Sequence, residues 1–269
     1  MRWIPASRLG GSWQMAIDTW LLERLQGLDG AQRSAGAVLR LYSWSRPTLS
    51  LGHHQRQLAP PWRRLAREGR LELVRRPSGG RAVLHGTDLT YALIWPDPPR
   101  QRRRAYGLAC EWLRHSFAAL DLPLHAGGDD SRLQPASCFA SGTAADLVHA
   151  DGGKRVGSAQ LWRHGALLQH GSIQLAPDAG LWREVFGEEP PALAPLPIDT
   201  DGLIALLRQQ AKRWLPMAAA SGLEERDLSA IELARIAAEL PRYRVEGTDA
   251  DGEDSGSATS PELTIPRAT

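Results

Sequence analysis

The sequence runs to 269 residues, enough for one large domain or two small ones. A hydrophobic share of 42% and a charged share of 23% exclude a fibrous or low-complexity chain and fit a globular one. Thirty-two Lys and Arg nearly cancel thirty Asp and Glu, so the net charge of +2 gives no whole-chain signal for nucleic acid. The arginines do cluster locally, at Arg63, Arg64 and Arg67 and again at Arg100, Arg102, Arg103 and Arg104; solvated helix faces and a patch for an acidic partner both fit them. Two cysteines, Cys110 and Cys138, exclude a disulfide-dense scaffold and suit a reducing compartment. The first ten residues lack a signal core, and no run nears the roughly 18 apolar residues of a membrane span. The expectation is a cytoplasmic protein with no membrane or nucleic-acid partner.

In chain order, Trp13, Ile17, Trp20, Leu21 and Leu25 recur at helical spacing and predict an amphipathic helix over 13–25. Strands are expected at 37–44 and 48–51 around Ser45-Arg46-Pro47, then a helix over 58–67. A short strand over 71–74 enters the Pro77-Ser78-Gly79-Gly80 turn, and strands follow at 82–84 and 89–95. Tyr106, Cys110, Leu113, Phe117 and Leu120 share one stripe of a helix over 102–120, which makes Cys110 a core residue. Residues 129–143 are polar and irregular. Two hairpins follow: 144–150 turns at Asp151-Gly152-Gly153 into 154–162, which turns at His164-Gly165 into 166–175. Helices at 202–214 and 229–240 close the chain, and 246–269 reads as a disordered acidic tail. Hairpins beside separate helices predict an α+β fold with a mixed, largely antiparallel sheet. Residues 1–245 are taken as one catalytic domain, with a helical C-terminal extension from about 201.

Four segments carry chemistry. In Arg75-Arg76-Pro77-Ser78-Gly79-Gly80-Arg81-Ala82-Val83-Leu84-His85, two glycines admit close backbone approach to a ligand, and the arginines could grip a carboxylate or phosphate. A hairpin turn flanked by surface arginines would present the same residues. It is no P-loop, since Gly-x4-Gly-Lys-Ser/Thr is missing. In Gly153-Lys154-Arg155-Val156-Gly157-Ser158-Ala159-Gln160, a lysine after a glycine turn, followed by small residues, suits a narrow site where an ammonium meets a carbonyl. A merely solvated hairpin lysine is the alternative. His170, in Gln169-His170-Gly171-Ser172, reads as a core histidine or a site residue. Cys138 lies in a polar loop, where a nearby ammonium would favour its thiolate. There is no zinc pattern: His53 and His54 are adjacent and, on a strand, would face opposite ways. A Gly-x-Ser-x-Gly elbow is also absent.

Together the segments resemble the lipoate-protein ligase and octanoyltransferase branch of the biotin/lipoate ligase superfamily. The landmarks occur in family order over 13–173: Gln14-Met15-Ala16-Ile17-Asp18, Leu49-Ser50-Leu51-Gly52-His53-His54-Gln55, 75–85, and 153–160 with His170-Gly171. The resemblance implies a mixed sheet with flanking helices, related to the biotin-ligase and class II synthetase catalytic fold. It also implies an acyl tunnel walled by the Arg-Arg-x-x-Gly-Gly turn and the Lys154 strand, with Lys154 at the acyl carbonyl. The implied substrate-binding residues are Arg75, Arg76, Ser78, Gly79, Gly80, Arg81, His85, Gly157, Ser158, Ala159 and His170.

Two reactions share the fold. ATP-dependent ligases usually show a third glycine where Arg81 stands and an aspartate where Gly86 stands. The stretch His85-Gly86-Thr87-Asp88-Leu89-Thr90-Tyr91 and the pair Cys138-Phe139 are closer to the transferases that use a loop cysteine, although Ala140-Ser141-Gly142-Thr143 departs from their usual Pro-Ser-x-Tyr. The residues after 176 are too few for the accessory domain of some ligases. The leading expectation is octanoyl transfer from acyl carrier protein through a Cys138 thioester, with Lys154 assisting and amides of 157–160 as oxyanion donors. The acceptor is a lysine on a lipoyl domain, such as the glycine-cleavage H protein or a 2-oxoacid dehydrogenase E2 subunit. That reaction needs no cofactor. A lipoate ligase would need ATP and Mg, and a non-catalytic acyl- or lipoyl-domain-binding protein is a third reading.

Overall fold

The computed structural model describes residues 1–127 and 146–246. The chain opens with β1 (Arg2–Leu9), α1 (Gly11–Glu23), a short α2 (Gly30–Ser34), β2 (Val38–Trp44), β3 (Thr48–Leu51) and α3 (Pro60–Arg67). Next come β4 (Glu72–Arg75), β5 (Val83–His85), β6 (Leu89–Trp95), α4 (Arg102–Ala118), β7 (His125–Ala126) and β8 (Asp146–Val148). The hairpin of β9 (Lys154–Arg163) and β10 (Ala166–Ile173) follows, then α5 (Ala179–Phe186), α6 (Thr200–Trp214), α7 (Pro216–Ser221), β11 (Glu224–Glu225) and α8 (Ala230–Ala237). Cys138 and the polar stretch 129–143 lie outside the described residues, as does the tail from 247 onward.

Eight strands form the large sheet in the order β11-β1-β2-β6-β10-β9-β8-β7. The two pairings around β1 are parallel and the other five antiparallel, so the expected α+β architecture with a mixed, mainly antiparallel sheet is what the chain adopts. A second sheet, β4-β3-β5, is built from the residues that flank the Gly79-Gly80 turn. Ser45-Arg46-Pro47 therefore does not close a hairpin: it carries the chain from β2 in one sheet to β3 in the other.

Helices cover both faces of the large sheet. Leu113 and Phe117 of α4, with Leu203, Leu207 and Ala211 of α6, pack on Leu39, Leu41, Leu93 and Leu167. Met15, Ile17, Leu21 and Leu22 of α1 pack on Val38, Ala92, Ile94 and Leu168 on the opposite face. Ile236 of α8 and Tyr243 close over α1. Strands covered on both faces read as continuous apolar runs instead of alternating ones, and β6 and β10 are buried at every position. The small sheet has its own core, where Leu49, Leu51 and Leu84 meet Trp62 of α3 and Trp182 of α5. The Trp62 indole N–H donates to Val185 O at 2.7 Å and ties those two helices together.

Cys110 is 2% exposed, as its stripe predicts, and burial pushes its thiol up to about 11, which leaves it an inert core residue. The helix at α1 differs from the amphipathic expectation. Gln14, Asp18 and Thr19 are buried with its apolar positions, while Trp13 and Trp20 stay half-buried.

Candidate active site

A cavity of about 470 Å³, its open mouth included, lies where the small sheet meets the centre of the large one. Neighbouring positions of the central hairpin form one wall: Gly157, Ser158 and Ala159 of β9 stand directly across from Ser172, Gly171 and His170 of β10. The small sheet and its turn supply Ser50, Arg76, Gly80, Val83 and His85. Met15, Tyr42, Trp44 and Thr90 complete the lining. Gly171 has to be glycine here, because a Cβ would stand 2.6 Å from the Tyr91 ring and 2.8 Å from Gly157 O. Gly52 is tighter still: its Cβ would lie 1.8 Å from Gly80 O, so the 52–55 turn and the Gly79-Gly80 turn are pressed together at the backbone.

Two buried chains of hydrogen bonds end at this cavity. In the first, the Asp18 carboxylate accepts from Arg40 Nη1 at 2.8 Å and Tyr42 OH at 2.9 Å and lies 3.0 Å from His170 Nδ1. Asp18 acts as acceptor, which makes Nδ1 the donor, and His170 Nε2 meets the Ser78 hydroxyl at 2.5 Å. In the second, Asp88 accepts from His85 Nδ1 at 2.8 Å, Gly86 N at 3.1 Å, Thr90 Oγ1 at 3.0 Å and Ser172 Oγ at 2.5 Å. Burial favours the neutral acid, but His85 and these donors outweigh it and hold Asp88 below its usual range. His85 Nε2 then meets Ser50 Oγ at 2.9 Å, and its ring stacks on Trp44 at 3.9 Å between centroids. Each chain thus runs serine to histidine to aspartate.

The structure gathers Arg76, Gly80, His85, Gly157, Ser158, Ala159 and His170 at the cavity. Ser78 stands behind His170, and Gly79 gives its carbonyl to Arg76. Arg76 also donates to Ser50 O at 2.7 Å and Arg81 O at 2.6 Å, so its guanidinium shapes the glycine turn from within. Arg75 reaches the carbonyls of Gly52 and Gln55. Arg81 is half-buried beside the turn. Lys154, 3% exposed, pairs with Asp146 Oδ2 at 2.9 Å where β9 meets β8, three residues before Gly157.

His53 and His54 sit in a turn after β3, not on a strand, with rings 4.9 Å apart. Slight burial and the charges of His54, Arg56, Arg163 and Arg75 lower the pKa of His53. Among the described residues no group of three or more His, Cys, Asp or Glu could hold a metal ion. Arg64 and Arg70 pair with Glu184, and Arg102 lies over the Trp162 ring, which accounts for part of the arginine clustering.

The family model of the lipoyl protein ligase A/B catalytic domain matches residues 11–192. The chain belongs to that family. Octanoyltransferase LipM of Lysinibacillus sphaericus is 33% identical over 196 residues, 68% of each chain. The same-named protein of Halalkalibacterium halodurans is 33% identical over 198 residues, 69% of each. Among solved structures, a T. acidophilum lipoate protein ligase with bound lipoic acid superposes with a TM-score of 0.72 at 18% identity, over 90% of this chain and 95% of that one. Lipoate-protein ligase A bound with ATP gives 0.71 at 17% identity, over 90% and 94%. These superpositions show the same fold over most of the chain.

Asp18, Ser50, Asp88 and Ser172 join the hydrogen-bond chains at the cavity without being among the substrate-binding residues that the resemblance implies. Asp18 carried a signal: it is an acid inside the apolar stripe, next to Ile17 and three residues before Leu21. Ser50 and Ser172 lie in apolar strands with nothing local to mark them.

Proposed function

We propose that the protein transfers an octanoyl group, taken from octanoyl-acyl carrier protein through a thioester on Cys138, to a specific lysine of lipoyl-domain proteins, or a lipoyl group from the corresponding lipoyl donor. The observation that carries the reading is the naming of relatives at 33% identity over about two thirds of the chain as octanoyltransferases, and the matched family region, 11–192, contains every residue that lines the cavity. Apolar Met15, Tyr42, Trp44 and Val83 suit an acyl chain, and small residues on β9 and β10 leave room for a thioester against the strand. Lys154 would face the acyl carbonyl from the β8 edge, and amides of 157–160 would meet the developing oxyanion. Exchange of a thioester for an amide runs downhill, so the reaction needs neither ATP nor a metal. Lipoyl domains such as the glycine-cleavage H protein or E2 subunits are the acceptors under this reading. We place the reaction in the cytoplasm on the low cysteine content; no helix among the described residues is long and apolar enough to cross a membrane.

The test is lipoyl-domain modification with octanoyl carrier protein in the absence of nucleotide. Transfer without ATP supports the reading. Modification only with free lipoate and ATP, with release of pyrophosphate, would replace it with the ligase reaction.

A further inference from the structure

The cavity has a mouth and a closed end. Across the large sheet, Gly157, Ser172, Thr90 and Tyr42 stand in one row of partnered residues on β9, β10, β6 and β2, and all four line the cavity. Three strand spacings of about 4.8 Å make that row roughly 14 Å long. Exposure falls along it: Gly157 is half-buried, Ser172 and Thr90 are buried, and Tyr42 is fully so. The small sheet repeats the gradient, from exposed Gly80 through half-buried Val83 to buried His85. Both walls therefore close toward the stacked rings of Trp44 and His85.

A second cavity, of about 530 Å³ with its opening included, shares that pair. Trp44 and His85 are the two residues that line both, so their rings form the partition. Beyond it, Pro47, Leu84, Leu181 and Trp182 offer apolar surface. The partition is braced. His85 Nδ1 meets Asp88 at 2.8 Å and its Nε2 meets Ser50 Oγ at 2.9 Å, while the Trp44 indole N–H donates to Thr90 Oγ1 at 2.9 Å. Neither ring can swing aside without breaking a buried hydrogen bond.

Resting on the reading of this cavity as an acyl site, we infer that the Trp44–His85 pair is its floor and sets the longest acyl chain the protein accepts. A chain that enters between Gly80 and Gly157 runs along the row until its methyl end meets the two rings. Each methylene buried short of the floor strengthens binding about fourfold. A methylene past that point has to part the braced rings or stay in water. Removing the indole joins the two cavities and lets a longer chain continue along Leu84 and Trp182. Trp44 is thus a specificity-determining residue, whichever way the acyl group is activated.

The test is calorimetric binding of two free fatty acids, octanoate and dodecanoate, to the full-length protein. Wild type should bind octanoate about tenfold or more tighter than dodecanoate. Trp44→Ala should reverse the preference, with dodecanoate tighter by about tenfold. Trp44→Leu leaves a smaller gap and should shift the ratio the same way by a smaller factor; it carries the test if thermal unfolding shows that the alanine variant does not fold. A folded variant that keeps the wild-type ratio would overturn the floor, and so would a wild-type protein that binds both chains equally well. Wild-type protein that binds neither would refute the acyl-site reading itself.

Discussion

Asp88 sits 3% exposed among four donors drawn from β5, β6, β10 and the turn between the first two, so one carboxylate joins both sheets beside the cavity. Asp88→Asn keeps the shape but turns one acceptor into a donor facing donors, and should cost about 2–4 kcal/mol in urea unfolding. The pH dependence has a definite sign. A carboxyl with a lowered folded-state pKa stabilises the fold above its unfolded value, near 3.9, and the stabilisation is lost as pH falls below it. The wild-type protein should lose stability progressively below about pH 4, while Asp88→Asn, weaker at neutral pH, should show a shallower acid decline. Gly52→Ala tests a different residue-scale constraint. Its Cβ would meet a backbone oxygen, which cannot swing aside, so a loss of about 2–3 kcal/mol and displacement of the Gly79-Gly80 turn are expected by unfolding and by activity. A stability within error of wild type would show that the two turns are not locked together.

At the scale of elements, the clear periodic segments were the legible ones. The stripe of α4 and the two glycine turns around β9 define elements within a few residues of where they form. β1 left no such trace. Arg2, Trp3 and Ile4 are all buried, so alternation is missing, and the buried Arg2 guanidinium is met by Glu232 at 2.8 Å, far along the chain. β3, β4 and β5 looked like ordinary strands, but nothing local says that they leave the main sheet to build a second one. The cavity depends on that departure. Gly79, Gly80, Lys154 and His170 could therefore be named in advance, while Ser50, Asp88 and Asp18 became visible only once both sheets were placed. For α6 the structure makes a quantitative statement. Leu207 is fully buried against the sheet, so Leu207→Ala should cost about 2–4 kcal/mol. Ile231 of α8 is 68% exposed, and its alanine variant should stay within about 0.5 kcal/mol. Equal effects for the two would mean that α6 does not share the sheet's core.

For the whole molecule, the arrangement separates support from chemistry. Helices on both faces hold the hairpin of β9 and β10 rigid, and the small sheet brings an arginine-braced glycine turn against it. On the proposed reading, a thioester on Cys138 separates the transferase route from an ATP-dependent one. The most direct measurement is intact-mass analysis after mixing the full-length protein with octanoyl carrier protein, followed by addition of a lipoyl domain. The account predicts a covalent octanoyl adduct that is absent in Cys138→Ser and is discharged onto the lipoyl domain without ATP. Full transfer by Cys138→Ser, or octanoylation that requires ATP, would contradict it.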